Sequence, residues 1–110
     1  MKYTQGDIVY VNFLFASGKF KEHPTIIISN DELQEDEEFF YLVMISSNNN
    51  FPKYAYELTD EMLTKKLPKK SYVKCQLLSG FTERDVIKKH GKIKQPFLNQ
   101  IIDKVIDSIF

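Results

Sequence analysis

Runs of apolar, β-branched and aromatic residues recur through the first ninety positions, and short polar stretches separate them. Runs of this composition are typical of β-strands. They predict strands over residues 8–15, 25–29, 39–46, 54–58 and 71–78, with a short sixth strand over 85–89. Strict alternation along 71–78 predicts that Val73, Cys75 and Leu77 share one face and that Lys74 and Gln76 share the other.

The polar stretches between these runs predict turns and loops. Pro24 fixes its own φ angle and restricts His23 to extended backbone, so we expect His23 on the rim of the sheet at the entrance to the second strand. The acidic run over residues 31–38 predicts a solvated turn or hairpin tip. Residues 59–63 predict a short helical turn that Thr59 caps.

The hydrophobic period changes after Pro96. Apolar residues then recur at helical spacing, namely Phe97, Ile101, Val105 and Ile109 with Leu98, Ile102 and Ile106 beside them. This stripe predicts one amphipathic C-terminal helix that covers the sheet core. Short strands followed by one helix predict a mainly β (α+β) protein, a small antiparallel barrel of five to six or seven strands with the helix packed against it.

Composition limits the class of protein. A chain of 110 residues predicts a single domain over 1–110, and 43% apolar with 27% charged residues is ordinary for a globular protein. No apolar run reaches the ~20 residues of a membrane span, and no apolar signal region precedes the first strand. We therefore expect a cytoplasmic protein without a membrane partner. The only cysteine, Cys75, cannot form an intrachain disulfide and is expected to be a small buried hydrophobe.

Charge is balanced overall and uneven along the chain. The 15 basic and 15 acidic side chains cancel. Acidic residues concentrate within 31–38, whereas lysines concentrate within 65–94. This distribution predicts either a basic face suited to phosphate groups or lysines that are simply solvated at strand ends and turns.

Two motifs carry a resemblance to a known family. Residues 6–13 read Gly-Asp-Ile-Val-Tyr-Val-Asn-Phe, and residues 23–30 read His-Pro-Thr-Ile-Ile-Ile-Ser-Asn. They resemble the opening of MazF/PemK-like toxins, in which a Gly-Asp-hydrophobic strand and a loop precede an Arg-Pro-hydrophobic strand. The resemblance continues through residues 45–47 and 71–76 into the C-terminal helix, so it spans nearly the whole chain.

The resemblance implies a fold and an activity. Members of this family are SH3-like or CcdB-like barrels that form homodimers. They are toxins of type II toxin–antitoxin systems and sequence-selective endoribonucleases (mRNA interferases) that cleave single-stranded RNA. The 2′-hydroxyl attacks the adjacent phosphate and leaves a cyclic phosphate and a 5′-hydroxyl, with no cofactor. A cognate antitoxin neutralises the toxin by laying a disordered tail across the RNA groove.

The resemblance also implies a site, with departures from the family pattern. His23 stands at the family's arginine before proline, Lys74 at a second arginine, and Gln76 at an acidic position. Ser46 or Ser47 matches a Thr/Ser position. We expect His23 to act as general acid or base, Lys74 to hold the phosphate, and Ser46 or Ser47 to position it. The alternative for His23 is a solvent-exposed loop histidine.

Further residues are expected to contact RNA through stacking, hydrogen bonds or charge. The substrate-binding candidates are Lys19, Phe20, Lys21, Asn48, Phe51, Lys53 and Gln76, with Phe15, Tyr54, Lys69 and Lys70 as further stacking or phosphate contacts. For the aromatic residues, core packing or dimer contact is the alternative. His90 is a weaker candidate because it lies in a predicted turn. The two histidines and one cysteine have no metal-site spacing, so we expect no metal.

Two other functions stay open at the level of sequence. A barrel without the family's arginine could bind RNA or a protein partner without cleaving RNA. The relationship to CcdB-like barrels suggests a poison directed at a topoisomerase. Appearance of 5′-hydroxyl RNA ends separates the nuclease from both alternatives.

Overall fold

The computed structural model describes residues 2–110, which form one antiparallel sheet with helices between and after its strands. The strands are β1 (Asp7–Leu14), β2 (Phe20–Ile27), β3 (Phe40–Ser46), β4 (Ala55–Leu58), β5 (Ser71–Phe81) and β6 (Val86–Lys92). The helices are α1 (Asp31–Glu37) and α2 (Gln95–Ile109), with short 3-10 turns at Pro52–Tyr54, Asp60–Met62 and Glu83–Asp85. The mainly β fold with a C-terminal helix is thus confirmed.

The sheet buries apolar side chains on both faces. Its strand order is β4-β5-β3-β2-β1-β6. Successive residues of β1 point to opposite faces, so Ile8 belongs to one core cluster and Val9 to the other. Leu98, Ile101 and Val105 of α2 complete the first cluster, which confirms the predicted helical lid. Burying each such side chain stabilises the fold by about 1.5–3 kcal/mol.

The sheet has two edge strands, β4 and β6, which do not pair with each other. The segment 59–70 fills the seam between them. Leu63 and Ile93 form an isolated antiparallel bridge, and the Thr64 amide donates to the Lys92 carbonyl at 2.9 Å. The amide of Lys94 in turn donates to the carbonyl of Met62 at 2.8 Å. These bonds fasten the segment to β6.

The acidic run is a helix, so the expected turn or hairpin tip was wrong. Asn30 caps α1, because its side-chain oxygen accepts a hydrogen bond from the Leu33 amide at 2.9 Å. Asp31 and Glu32 lie in the first turn, where the helix dipole favours negative charge. Glu38 ends the helix in the left-handed conformation with a φ of 57°.

The strict alternation expected along 71–78 was also wrong. Val43 pairs with Leu78 while the next residue of β3, Met44, pairs with Lys74. Three residues of β5 are therefore inserted at a bulge, and the faces change there. Val73 and Cys75 are buried as predicted, but Leu77 is 41% exposed. Lys74, predicted on the opposite face from the core, is itself only 6% exposed.

Several boundaries also moved. β2 begins at Phe20, five residues before the predicted start, because it pairs with the whole of β1 down to Leu14. Residues 60–62 do form a short turn, but Thr59 makes no side-chain capping bond to it. Within residues 2–110, the structure contains no helix long and apolar enough to cross a membrane.

Candidate active site

His23 lies within β2, half-buried, where the strand meets the end of β3. Its Nδ1 lies 3.4 Å from the backbone carbonyl oxygen of Ile45. A carbonyl oxygen can only accept a hydrogen bond, so the contact favours the tautomer with its proton on Nδ1, which leaves the Nε2 lone pair free. The ring also contacts Phe13 edge-on, with centroids 6.3 Å apart, and Phe15 at 5.4 Å. These contacts restrain the His23 ring. Because the residue lies in a strand and is half-buried, the alternative of a solvent-exposed loop histidine was wrong.

A pocket of about 270 Å³ opens in front of this histidine, and we call it the His23 pocket. It brings together three of the four predicted catalytic residues, His23, Ser46 and Ser47, and it includes the predicted substrate contact Lys21. The rest of its lining comprises Tyr10, Glu22, Pro24, Ile45, Leu67, Pro68, Lys69 and Ser71. The pocket thus combines an imidazole, hydroxyls and lysine ammonium groups.

Ser46 and Ser47 reach the pocket because β3 ends there. The Ser46 hydroxyl oxygen accepts a hydrogen bond from the Asn48 amide at 3.2 Å, and Asn48 Oδ1 accepts from the Asn50 amide at 2.7 Å. Asn48 thus forms its hydrogen bonds within the turn that follows β3, and it does not line the pocket. Because the Ser46 oxygen accepts, its hydroxyl proton stays available for a ligand.

The remaining predicted contacts lie elsewhere. Lys74 pairs with Met44 and Ala55 in the sheet interior and does not line the His23 pocket. Gln76 follows it at the bulge, and its side-chain oxygen is buried without a hydrogen-bond partner. Lys53 lines a separate groove against α2. The other three, Lys19, Phe20 and Phe51, are exposed and outside the pocket.

A second and larger cavity of about 990 Å³ continues from the first along the seam between β4 and β6, and we call it the seam groove. The two cavities share five lining residues: Tyr10, Leu67, Pro68, Lys69 and Ser71. His90 lies in the seam groove with its ring 5.8 Å from that of Tyr10, and Lys88 Nζ lies 4.6 Å from the Tyr10 ring centre. Sequence analysis missed Tyr10, since only the register of β1 between β2 and β6 reveals its position.

Tyr10 and Lys70 line the cavities and have raised pKa values, and Cys75, which lines neither cavity, has one too. Burial, followed by the Glu22 carboxylate, raises the pKa of Tyr10, which keeps its hydroxyl protonated as a donor. Burial raises the pKa of the Cys75 thiol to about 11. Cys75 is fully buried, and its Sγ lies 3.8 Å from the Val73 carbonyl. It is the predicted small hydrophobe and no nucleophile.

Metal-binding side chains are not assembled in the part of the chain that the structure describes. Among residues 2–110, no three His, Cys, Asp or Glu side chains come close enough together to hold a metal ion. The charged side chains that line the His23 pocket are Lys21, Lys69 and Glu22.

Comparison with known proteins relates this geometry to toxins. The family model described as PemK-like, MazF-like toxin of type II toxin–antitoxin system matches residues 4–109. No curated protein sequence matches the chain. A mycobacterial endoribonuclease solved with its cognate antitoxin has a TM-score of 0.77 at 11% identity, covering 96% of this chain and 93% of the other.

Two further solved structures have similar folds. The MazE–MazF complex (Form-III) from Deinococcus radiodurans has a TM-score of 0.75 at 12% identity and covers 100% of both chains. The toxin MazF-mt6 from Mycobacterium tuberculosis has a TM-score of 0.69 at 15% identity, covering 94% of this chain and 99% of the other. At these identities the structural likeness establishes the fold.

Proposed function

This chain belongs to the PemK-like, MazF-like toxins of type II toxin–antitoxin systems, and from that premise we propose that it is an endoribonuclease that cleaves single-stranded RNA. The observation that carries the proposal is the orientation of His23. Its Nδ1 faces the Ile45 carbonyl, so its Nε2 is the basic nitrogen available in a pocket lined by three serines, two lysines and Glu22.

His23 serves as the general base. Its Nε2 takes the proton from the ribose 2′-hydroxyl as that oxygen attacks the neighbouring phosphorus. The bond from phosphorus to the 5′-oxygen then breaks, and the departing oxygen takes a proton from water. The products are a 2′,3′-cyclic phosphate and a 5′-hydroxyl. Arginine stays protonated and cannot accept this proton, so histidine at this position changes the means of catalysis.

Charge on the phosphorane is stabilised by groups that line the same pocket. Lys21 and Lys69 supply positive charge, and the hydroxyls of Ser46 and Ser47 donate hydrogen bonds to the phosphate oxygens. Lys69 takes the phosphate-holding role that the sequence suggested for Lys74. Lys74 is 6% exposed within the sheet, which favours a structural role for it.

The proposal extends to partners and conditions. The reaction uses no metal ion, because imidazole and lysine provide the proton transfer and the charge stabilisation. The active protein is a cytoplasmic homodimer, and a cognate antitoxin inhibits it by covering the RNA site. These assignments follow family membership and the composition of the pocket.

Replacement of His23 tests the assignment. We expect purified protein to cut a long single-stranded RNA with EDTA present and to leave 5′-hydroxyl ends. His23→Ala lowers the single-turnover rate by about 10²- to 10⁴-fold, the usual contribution of a general base.

A matched variant separates base catalysis from charge. His23→Arg restores the family's residue and a permanent positive charge but no base, so we expect its rate to stay as low as that of His23→Ala. Both variants, purified identically, also control for contaminating nuclease. Cleavage by His23→Ala at the wild-type rate would disprove the role of His23, and absence of 5′-hydroxyl products from wild type would disprove the nuclease.

A further inference from the structure

We propose that the seam groove is a second RNA subsite, which binds the phosphodiester backbone and a base of nucleotides flanking the bond cut in the His23 pocket. The inference rests on the proposed function and adds a binding site to it. Its ligand is single-stranded RNA, because the groove combines unpaired lysines with exposed aromatic ring edges.

The seam groove is continuous with the His23 pocket. Tyr10, Lys69 and Ser71 line both cavities, so the two cavities adjoin and a strand that occupies one can continue into the other. An extended strand longer than the cleaved dinucleotide therefore has a defined path.

The wall that carries the lysines is firmly held. Leu67, at 8% exposure, anchors the segment 63–70 in the core. The Lys66 carbonyl accepts a hydrogen bond from His90 Nε2 at 2.9 Å, and Thr64 Oγ1 accepts one from the Lys92 amide at 2.8 Å. Because the backbone is fixed, the lysines start from defined positions and less entropy is lost on binding.

Positive charge in the groove is partly unpaired. Among residues 2–110, the lysines within ion-pair distance of a carboxylate are Lys70, Lys88, Lys89 and Lys92. Lys65, Lys66 and Lys69 also line the groove and have no such partner, while Glu57 is already bound by Lys70 at 3.1 Å. Asp60 is the other carboxylate in the groove, so the three ammonium groups leave an excess of positive charge that suits a polyanion even though the whole chain is neutral.

The far wall offers ring surfaces. Tyr10 and His90 meet at 67° and are both half-buried, so each leaves part of its ring accessible. The bond from His90 Nε2 to Lys66 leaves Nδ1 as an acceptor for a base or ribose hydroxyl. Stacking of an unpaired base on such rings contributes about 1–3 kcal/mol per base.

The salt dependence of RNA binding tests this subsite. The probe is mixed-sequence single-stranded RNA with methylated 2′-hydroxyls, which cannot be cleaved. We compare wild type with the double variant Lys65→Gln/Lys66→Gln. Loss of two phosphate contacts at about 0.7 each should reduce the slope of log affinity against log salt by about 1.4. The matched control Lys2→Gln/Lys104→Gln removes the same charge outside the groove and should keep the wild-type slope.

Each outcome identifies which proposal fails. If wild type cleaves RNA and the Lys65/Lys66 variant keeps the wild-type slope, the subsite is wrong and the nuclease stands. If the slope changes but wild type yields no 5′-hydroxyl ends, the subsite stands and the nuclease is wrong. If that variant binds RNA normally yet loses affinity for the antitoxin, the groove binds protein and the inference is overturned. Thermal unfolding of all variants confirms that they fold.

Discussion

At the scale of single residues, the two histidines are oriented by backbone carbonyls in opposite senses. His23 donates from Nδ1 to Ile45 and His90 donates from Nε2 to Lys66, so the free nitrogens are Nε2 and Nδ1 respectively. Only His23 has its ring enclosed by phenylalanines as well. Since Phe15 belongs to the loop between β1 and β2, that loop helps to orient the proposed base.

Phe15→Leu therefore lowers turnover without touching the reacting atoms. Displacing His23 by a fraction of an ångström should reduce kcat by about ten- to a hundredfold and change KM little.

The decisive measurement is a double-mutant cycle. In a His23→Ala background, Phe15→Leu should have no further effect on kcat, because the ring that it positions is gone. Leu14→Ala, which alters an exposed side chain on the same hairpin, is the control. Additive losses would show that Phe15 acts independently of His23.

The burial of Cys75 leads to predictions about the labelling of its thiol and about the stability of the protein at alkaline pH. Its pKa is raised to about 11 by burial from an ordinary value of 9.0. The unfolded thiol ionises first as pH rises, so the unfolded state then binds fewer protons and stability falls between about 9 and 11. At neutral pH a thiol reagent should label Cys75 only as fast as the protein unfolds. Cys75→Ser should show a smaller alkaline decline in stability, and the remainder comes from Tyr10 and Tyr56, whose pKa values are also raised. Rapid labelling of the native protein would contradict this burial.

At the scale of elements, local sequence patterns gave wrong predictions where strand pairing or helix capping determined the structure. The β5 bulge cannot be read from the alternation of residues 71–78, because it arises from the register with β3. It moves Lys74 into the interior. The C-terminal helix was predictable because apolar residues recur at regular helical spacing along its whole length. The dense negative charge of residues 31–38 suggested a solvated turn. The signal for a helix is Asn30, which caps its first turn.

That cap can be tested directly in α1. Asn30→Ala leaves the Leu33 amide without its acceptor, so it should lower the free energy of unfolding by about 1 kcal/mol. Asn30→Asp keeps an acceptor and adds a charge that the helix N-terminus favours, so it should stay close to wild type. Urea unfolding measures both. Equal stability of the alanine and aspartate variants would mean that the helix does not depend on this cap.

At the scale of the molecule, the barrel was predictable and its closure was not. Strand composition and the final helix indicate the fold class, and the family motifs indicate His23, Ser46 and Ser47. No sequence pattern reveals that the segment 59–70, which follows β4, bonds to the end of β6, because these bonds are tertiary contacts. The seam groove, including the position of Tyr10 between the two cavities, follows from that closure.

Gly91 is the residue on which this closure depends most closely. Its φ is +80°, and a Cβ there would lie 2.8 Å from Thr64 Oγ1 and 3.0 Å from Lys65 Cβ. Gly18 has a similar φ of +84° with nothing within 4 Å, so Gly18→Ala incurs the backbone cost alone, about 1–2 kcal/mol. Gly91→Ala should lose more stability than that, because it also pushes the segment 63–70 off β6.

Hydrogen exchange and a double-mutant cycle can show whether the additional loss of stability in Gly91→Ala comes from the contact with the segment 63–70. Faster exchange of the Thr64 and Lys92 amides, which bond across the seam, should appear in Gly91→Ala and not in Gly18→Ala. Thr64→Ala removes the closest atom, so the two seam substitutions combined should destabilise less than the sum of their separate effects. If Gly91→Ala loses no more than Gly18→Ala and its seam amides stay protected, the barrel closes without needing this close approach.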